Sequence, residues 1–180
     1  MWLFLVLLIV AVGIGWIFNR LVRDRNQVHA AWSDVDVQLQ RRHDLVPALV
    51  ESVRAYARHE TELFARVATE RSRARATPGI AARGTAEKSL GLDLSRLIAL
   101  GEAYPELKAS SSFSQLSTQL VQVEDDLQHA RRFYNGSVRD YNTHLQRFPD
   151  LLIAGAFGFR AAEFFSAGDD AAAAPGVTLA

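Results

Sequence analysis

The chain has no cysteine anywhere in its 180 residues. Disulfides, thiol nucleophiles and cysteine-based metal sites are therefore excluded together. This absence does not select a compartment, because a cysteine-free domain suits cytosol and periplasm alike. Lysine is nearly missing too: of twenty basic residues only Lys88 and Lys108 are lysines, a bias of genome composition rather than of phosphate recognition. The formal net charge is zero. A nucleic-acid partner calls for a net basic face, so none is expected. Also lacking is an HExxH motif or a second ExxH that would complete a dinuclear set. Charge itself is absent from the start of the chain, where no ionisable side chain precedes Arg20. The length suffices for one domain with a core of ordinary size.

The uncharged start is an apolar run, WLFLVLLIVAVGIGWIF, from Trp2 to Phe18. As a helix it rises roughly 25 Å, close to the hydrocarbon thickness of a bilayer once Leu21 and Val22 are added. Trp2 and Trp16 lie near its two ends, where indole rings favour the headgroup region, and Arg20, Arg23 and Arg25 follow immediately. These five residues are the expected membrane-interface set, with residues 1–22 as the transmembrane anchor. A cleaved signal peptide would have a basic leading region, a shorter apolar stretch and a small-residue cleavage site, and the run has none of the three. Arginines on the carboxyl side alone place the amino terminus outside and the remainder in the cytoplasm, by the positive-inside rule.

Beyond the anchor the chain is organised around a seam of apolar residues. Val28, Trp32, Val35, Leu39, Arg42, Val46, Leu49, Val53, Tyr56, Glu60, Leu63 and Val67 follow one another in alternating steps of four and three, apolar except at Arg42 and Glu60. That spacing predicts a helix packed on other helices. Pro47 interrupts it, at a cost of about 3 kcal/mol in a helix interior. Either the helix continues through the proline, or Asp44 caps a new helix with Pro47 in its first turn and the chain reverses there. The sequence ATPGIAARGTA reads as a linker, with Thr85 capping a helix that carries Leu90, Leu94, Leu97 and Ile98 and ends at Tyr104-Pro105. Ser112 and Gln115 form a capping-box pattern opening another helix, whose seam runs from Phe113 through Leu127, Tyr134 and Tyr141 to Phe148, with a stutter near Tyr134. Pro149 ends it. The strip LLIAGAFGF, Leu151–Phe159, is too short to span a membrane and is expected to pack over the bundle or touch the membrane. Residues 166–180 are Ala-rich and read as a disordered tail.

No catalytic set emerges. Asp126-x-x-His129 and the reversed His59-x-x-Glu62 read as solvated helix faces, beside the seams rather than on them. Asp34 and Asp36, two apart on a helix, point to different faces and cannot act as a carboxylate pair. The polar seam residues Arg42 and Glu60 either meet partners on other helices, such as Glu124, Asp125 or Arg131, and set register, or mark places where the seam rotates outward and both stay solvated. A short echo relates Asn19, Val22, Arg23, Asp24 and Asn26 to Asn135, Val138, Arg139, Asp140 and Asn142, a match that chance can supply.

The segments Arg25–Glu60, Ala86–Leu90, Glu102–Phe113 and Ala130–Phe159 together resemble the LemA family of bacterial membrane-anchored helical proteins. The resemblance implies an all-α fold, an amino-terminal transmembrane helix followed by an antiparallel helical bundle over residues 23–165, with four helices if Pro47 marks a break. It implies no enzymatic activity and no cofactor, and the family's magnetosome-associated members are linked to building an internal membrane compartment. Gly91, in GLDLSRL, stands where the family prefers helix formers. The expected function is that of a non-enzymatic single-pass protein of the bacterial inner membrane whose cytoplasmic bundle is a scaffold or interaction module. A membrane-shaping or lipid-binding module is the alternative. Expected partners are the membrane and other proteins or a second copy, with no small-molecule substrate, cofactor or metal.

Overall fold

A computed structural model describes residues 1–165, so the expected tail at 166–180 lies outside the described residues. The described residues hold six helices and no strand: α1 Trp2–Arg54, α2 Thr61–Ala76, α3 Ile80–Glu102, α4 Pro105–Lys108, α5 Ser111–Gln146 and α6 Asp150–Ala156. The all-α expectation holds. Two compact units divide the chain, one made of Met1–Gln40 with Asp125–Glu163, the other of Arg41–Glu124 with Phe164 and Phe165 of the described chain. The long helices α1 and α5 each contribute a segment to both.

In the first unit the seam residues Val28, Val35 and Leu39 of α1 and Leu127, Tyr134, Val138 and Tyr141 of α5 are buried, and the Trp32 and Tyr134 rings meet edge to face at 5.4 Å. After α5 the chain turns at Phe148–Pro149 into α6 and then runs extended, tied by Asn142, whose side-chain amide donates to the Ala162 carbonyl and accepts from the Ala162 N–H, both at 2.9 Å. The Tyr134 hydroxyl donates to the Glu163 carbonyl at 2.6 Å. Burial, and next the Glu163 charge, push the Tyr134 phenol up to about 12. Burial likewise raises Tyr141, partly opposed by Arg25.

The second unit is a bundle of four helical segments, residues 41–54 of α1, α2, α3 and residues 111–124 of α5, around Val46, Leu49, Val53, Phe64, Val67, Leu90, Leu94, Leu97 and Phe113. Here the structure decides between the two courses left open at Pro47. Helix α1 passes through the proline unbroken, and Leu39, Val46 and Leu49 are buried in phase along it. The reversal comes at 55–60 instead, where Ala57 N–H bonds the Val53 carbonyl at 2.9 Å and Glu60 N–H the Ala57 carbonyl at 3.1 Å. Tyr56 and Glu60 thus leave the seam and are exposed. The reason α1 survives the proline is specific. Pro47 has no N–H for the His43 carbonyl four residues back, and that carbonyl accepts a hydrogen bond from Arg71 Nε of α2 at 2.9 Å.

Two smaller expectations also change. α3 begins at Ile80, inside the presumed linker, after Gly79 at φ +83°, a left-handed conformation that glycine adopts without strain. Thr85 is accordingly interior to the helix, its hydroxyl donating to the Ala81 carbonyl. The Pro105 break holds, followed by the one-turn helix α4, which buries Leu107.

Candidate membrane interface and a buried charge cluster

The apolar part of α1 is long and apolar enough to cross a membrane, and no residue of its best 18-residue window is buried. Trp2 and Trp16 are 80% and 64% exposed. The expected interface residues separate from here on. Arg20 is half-buried, its guanidinium 5.1 Å over the Trp16 ring and paired with the Asp150 carboxylate at the start of α6. Arg23 is exposed. Arg25 is also exposed, with its guanidinium 5.3 Å over the Phe159 ring. Phe18 packs against Phe157 and Phe159, ring centroids 5.0 and 5.7 Å away. One turn further on, Asp24 Oδ2 and His144 Nδ1 of α5 lie 2.7 Å apart. The level Trp16–Arg25 is therefore built from α1, the end of α5 and the strip after it. Trp2, at the far end of the run, joins none of these contacts.

The strip Leu151–Phe159 is not simply packed away. Asp150 and Ala154 are buried, whereas Leu151, Leu152 and Phe157 are exposed. Phe157 and Phe159 lie in the strip expected to pack over the bundle or touch the membrane, but their attachment to Phe18 and Arg25, and the part played by Asp150, were not legible. The available signal was a lone acid heading an apolar strip whose natural partner is an arginine.

The second unit holds a buried cluster of charge. Arg42, 3% exposed, directs Nη1 to the carbonyl and to Oε2 of Glu87, at 3.2 and 3.4 Å. Its Nη2 lies 2.6 Å from Glu124 Oε1 in an ion pair. His43, fully buried, places Nε2 2.8 Å from Glu87 Oε1, while its Nδ1 has no hydrogen-bond partner among the described residues. The seam's polar interruption at Arg42 is thus partnered by Glu124, one of the acids anticipated, and by Glu87, which was not. Glu87 stands three residues before Leu90, in register with the Leu90–Leu94–Leu97 stripe, and that spacing was the signal that could have found it. Such a cluster can fix register between α1, α3 and α5, since one helical step of sliding would strand buried charge.

The remaining candidates do not converge. His59 and Glu60 are exposed in the 55–60 turn, and His129 is exposed with Nδ1 2.8 Å from Arg132 Nη2. Asp34 and Asp36 are exposed. Among the described residues no three His, Asp or Glu side chains gather as metal ligands would.

With this geometry in view, comparison with known proteins fixes the family. The sequence model of the LemA family matches residues 31–179. The chain belongs to the LemA family. Relatives of this LemA-family chain include Magnetosome protein MamQ 2 of Paramagnetospirillum magneticum, 26% identical over 82% of the chain and 64% of the relative. Magnetosome protein MamQ of Magnetospirillum gryphiswaldense is 25% identical with the same coverage. Protein LemA of Metamycoplasma hominis is 26% identical over 84% of the chain and 72% of its own length. The chain spans about 64% of the length of the magnetosome relatives it matches.

Proposed function

We propose that this chain is a non-catalytic, membrane-anchored helical module whose bundle serves as a scaffold at the inner face of the cytoplasmic membrane. The observation that carries the reading is α1 itself. One helix begins as a run whose spanning window has no buried residue and continues, without a break, into seam residues that are buried in both units. No linker interrupts α1 between the apolar run and these seams. Family membership and similarity to proteins named for the magnetosome support a role at a membrane rather than in solution. Separate apolar side chains on outward faces, Phe133 in the first unit and Leu92 and Val121 in the second, offer contact points for a partner or a second copy.

Photocrosslinking in intact cells tests this. A benzophenone amino acid at Phe133, Leu92 or Val121 should give discrete adducts, with another protein or with a second copy. If the chain stays in the membrane fraction and none of these positions yields a protein adduct, the scaffold reading fails while anchoring stands.

A further inference from the structure

The strip after α5 has a surface that contact with water does not explain. Leu152 and Phe157 are 58% and 57% exposed, and Phe148 and Leu151 are exposed beside them. Yet the same strip is fastened at several points: Phe157 and Phe159 to Phe18, Asp150 to Arg20, and Phe159 to Arg25. All its attachments on α1 fall between Phe18, the last residue of the apolar run, and Arg25, which closes the arginine group after it. If that run fills the hydrocarbon layer, this is the level at which the chain passes into the headgroups. The seven-residue helix α6 is far too short to span, and an apolar surface held at that level suits the interface plane. Charge agrees with this placement. Arg23, Arg147 and Arg160 are exposed around the strip; among the nearby acids Asp24 and Asp150 are paired with His144 and Arg20, leaving Glu163 exposed.

We infer that α6 and the turn Phe157–Phe159 form a second membrane contact, a collar beside the anchor that seats Leu151, Leu152 and Phe157 in the outer hydrocarbon of a bilayer rich in anionic lipid. The inference rests on the anchoring of α1 proposed above. A bilayer is the occupant because the strip is continuous, through Phe18, with the apolar run of α1. A single helix can rotate and tilt about its axis; with the collar seated, the first unit is held at a fixed depth and rotation by two contacts.

The lack of cysteine in the chain lets single labels be placed without background. Nitroxides at Leu152→Cys and Phe157→Cys, with Ile9→Cys in the run and Val37→Cys roughly 28 Å along α1 from Phe18 as references, are compared in the full chain in nanodiscs of phosphatidylcholine and phosphatidylglycerol. The expected result is several-fold protection of 152 and 157 from a water-soluble nickel chelate relative to 37, with matching relaxation by membrane-dissolved oxygen. If 9 is protected but 152 and 157 are as accessible as 37, the collar is overturned and the anchor stands. If 9 is accessible too, the anchoring fails. Dipolar broadening between labels at 152 would assign the strip to a second copy instead and overturn the proposal. In phosphatidylcholine alone the protection should fall, and unchanged protection would overturn the part given to anionic lipid.

Discussion

Arg42 occupies space that a helix would normally give to a side chain of its neighbour. A Cβ built on Gly91 of α3 would lie 2.5 Å from Arg42 Nη2. Glycine in a helix interior costs about 1 kcal/mol relative to alanine, so at an ordinary site Gly91→Ala would stabilise. Here the guanidinium tip cannot retreat freely, because Glu87 and Glu124 hold it from two sides in a buried setting. Gly91→Ala is expected to destabilise by about 1–2 kcal/mol in chemical denaturation. In an Arg42→Leu background, where the tip is gone, the same change should stabilise by about 0.5–1 kcal/mol. Equal effects in both backgrounds would reject the account. A second residue gives a pH prediction. The Tyr134 phenol titrates near 12 in the folded chain against 10 for an unperturbed tyrosine, with burial as the main cause. The folded state then holds a proton that the unfolded state has lost, so stability is intact below pH 10 and falls as pH rises from 10 to 12, by at most about 2–3 kcal/mol. Spectroscopic titration should show a tyrosinate step near 12 that Tyr134→Phe removes; a normal step for every tyrosine would contradict it.

Pro47 and Arg71 act as a pair that belongs to the elements rather than to either residue. Proline takes a hydrogen bond from α1, and Arg71 of α2 supplies one to the His43 carbonyl left without its helical donor. Arg71→Ala should therefore cost about 1–2 kcal/mol in the native background. With Pro47→Ala in place the ladder within α1 closes again, and the cost of losing Arg71 should drop to a few tenths. A double-mutant cycle by thermal denaturation measures the coupling, and a coupling near zero would mean that Arg71 does not replace the lost bond. This pair also shows what the sequence can and cannot reveal. The heptad phase running through Pro47 favoured a continuous helix, and the burial of Val46 and Leu49 follows that phase. The proline nevertheless looked like the natural place for a reversal, because the group that rescues the helix lies on a different element. The true reversal at AYARHE has no glycine, proline or asparagine to announce it; only the backbone bonds at 53–60 define it. Apolar seams, the break at Pro105 and the end of α5 before Pro149 were readable because period and proline chemistry are local. The partners of Arg42, Arg20 and Arg25 were largely not, since a contact between residues more than forty positions apart leaves no local pattern.

At the scale of the whole molecule, the proposed orientation rests on one asymmetry: the run before Arg20 has no charge, and arginines crowd its carboxyl side. On the positive-inside rule the side bearing those arginines stays in the cytoplasm. Alkaline phosphatase fused after Arg75 should then be inactive in cells, and a fluorescent protein fused at the same place should fluoresce; the opposite pair of results would put the bundle outside. A stronger test alters the cause. Arg20 is also bound to Asp150, so replacing it would loosen the first unit as well as the topology signal. Arg23 and Arg25 are exposed and make no ion pair with α6. Changing Arg23 and Arg25 to glutamine while adding arginines directly after Met1 shifts the balance across the run and leaves the Arg20–Asp150 tie untouched. Phosphatase activity after Arg75 should appear in a large fraction of such chains. If orientation stays fixed despite that shift, a feature other than the arginines determines it, and burial of the bundle side by early folding would become the leading cause.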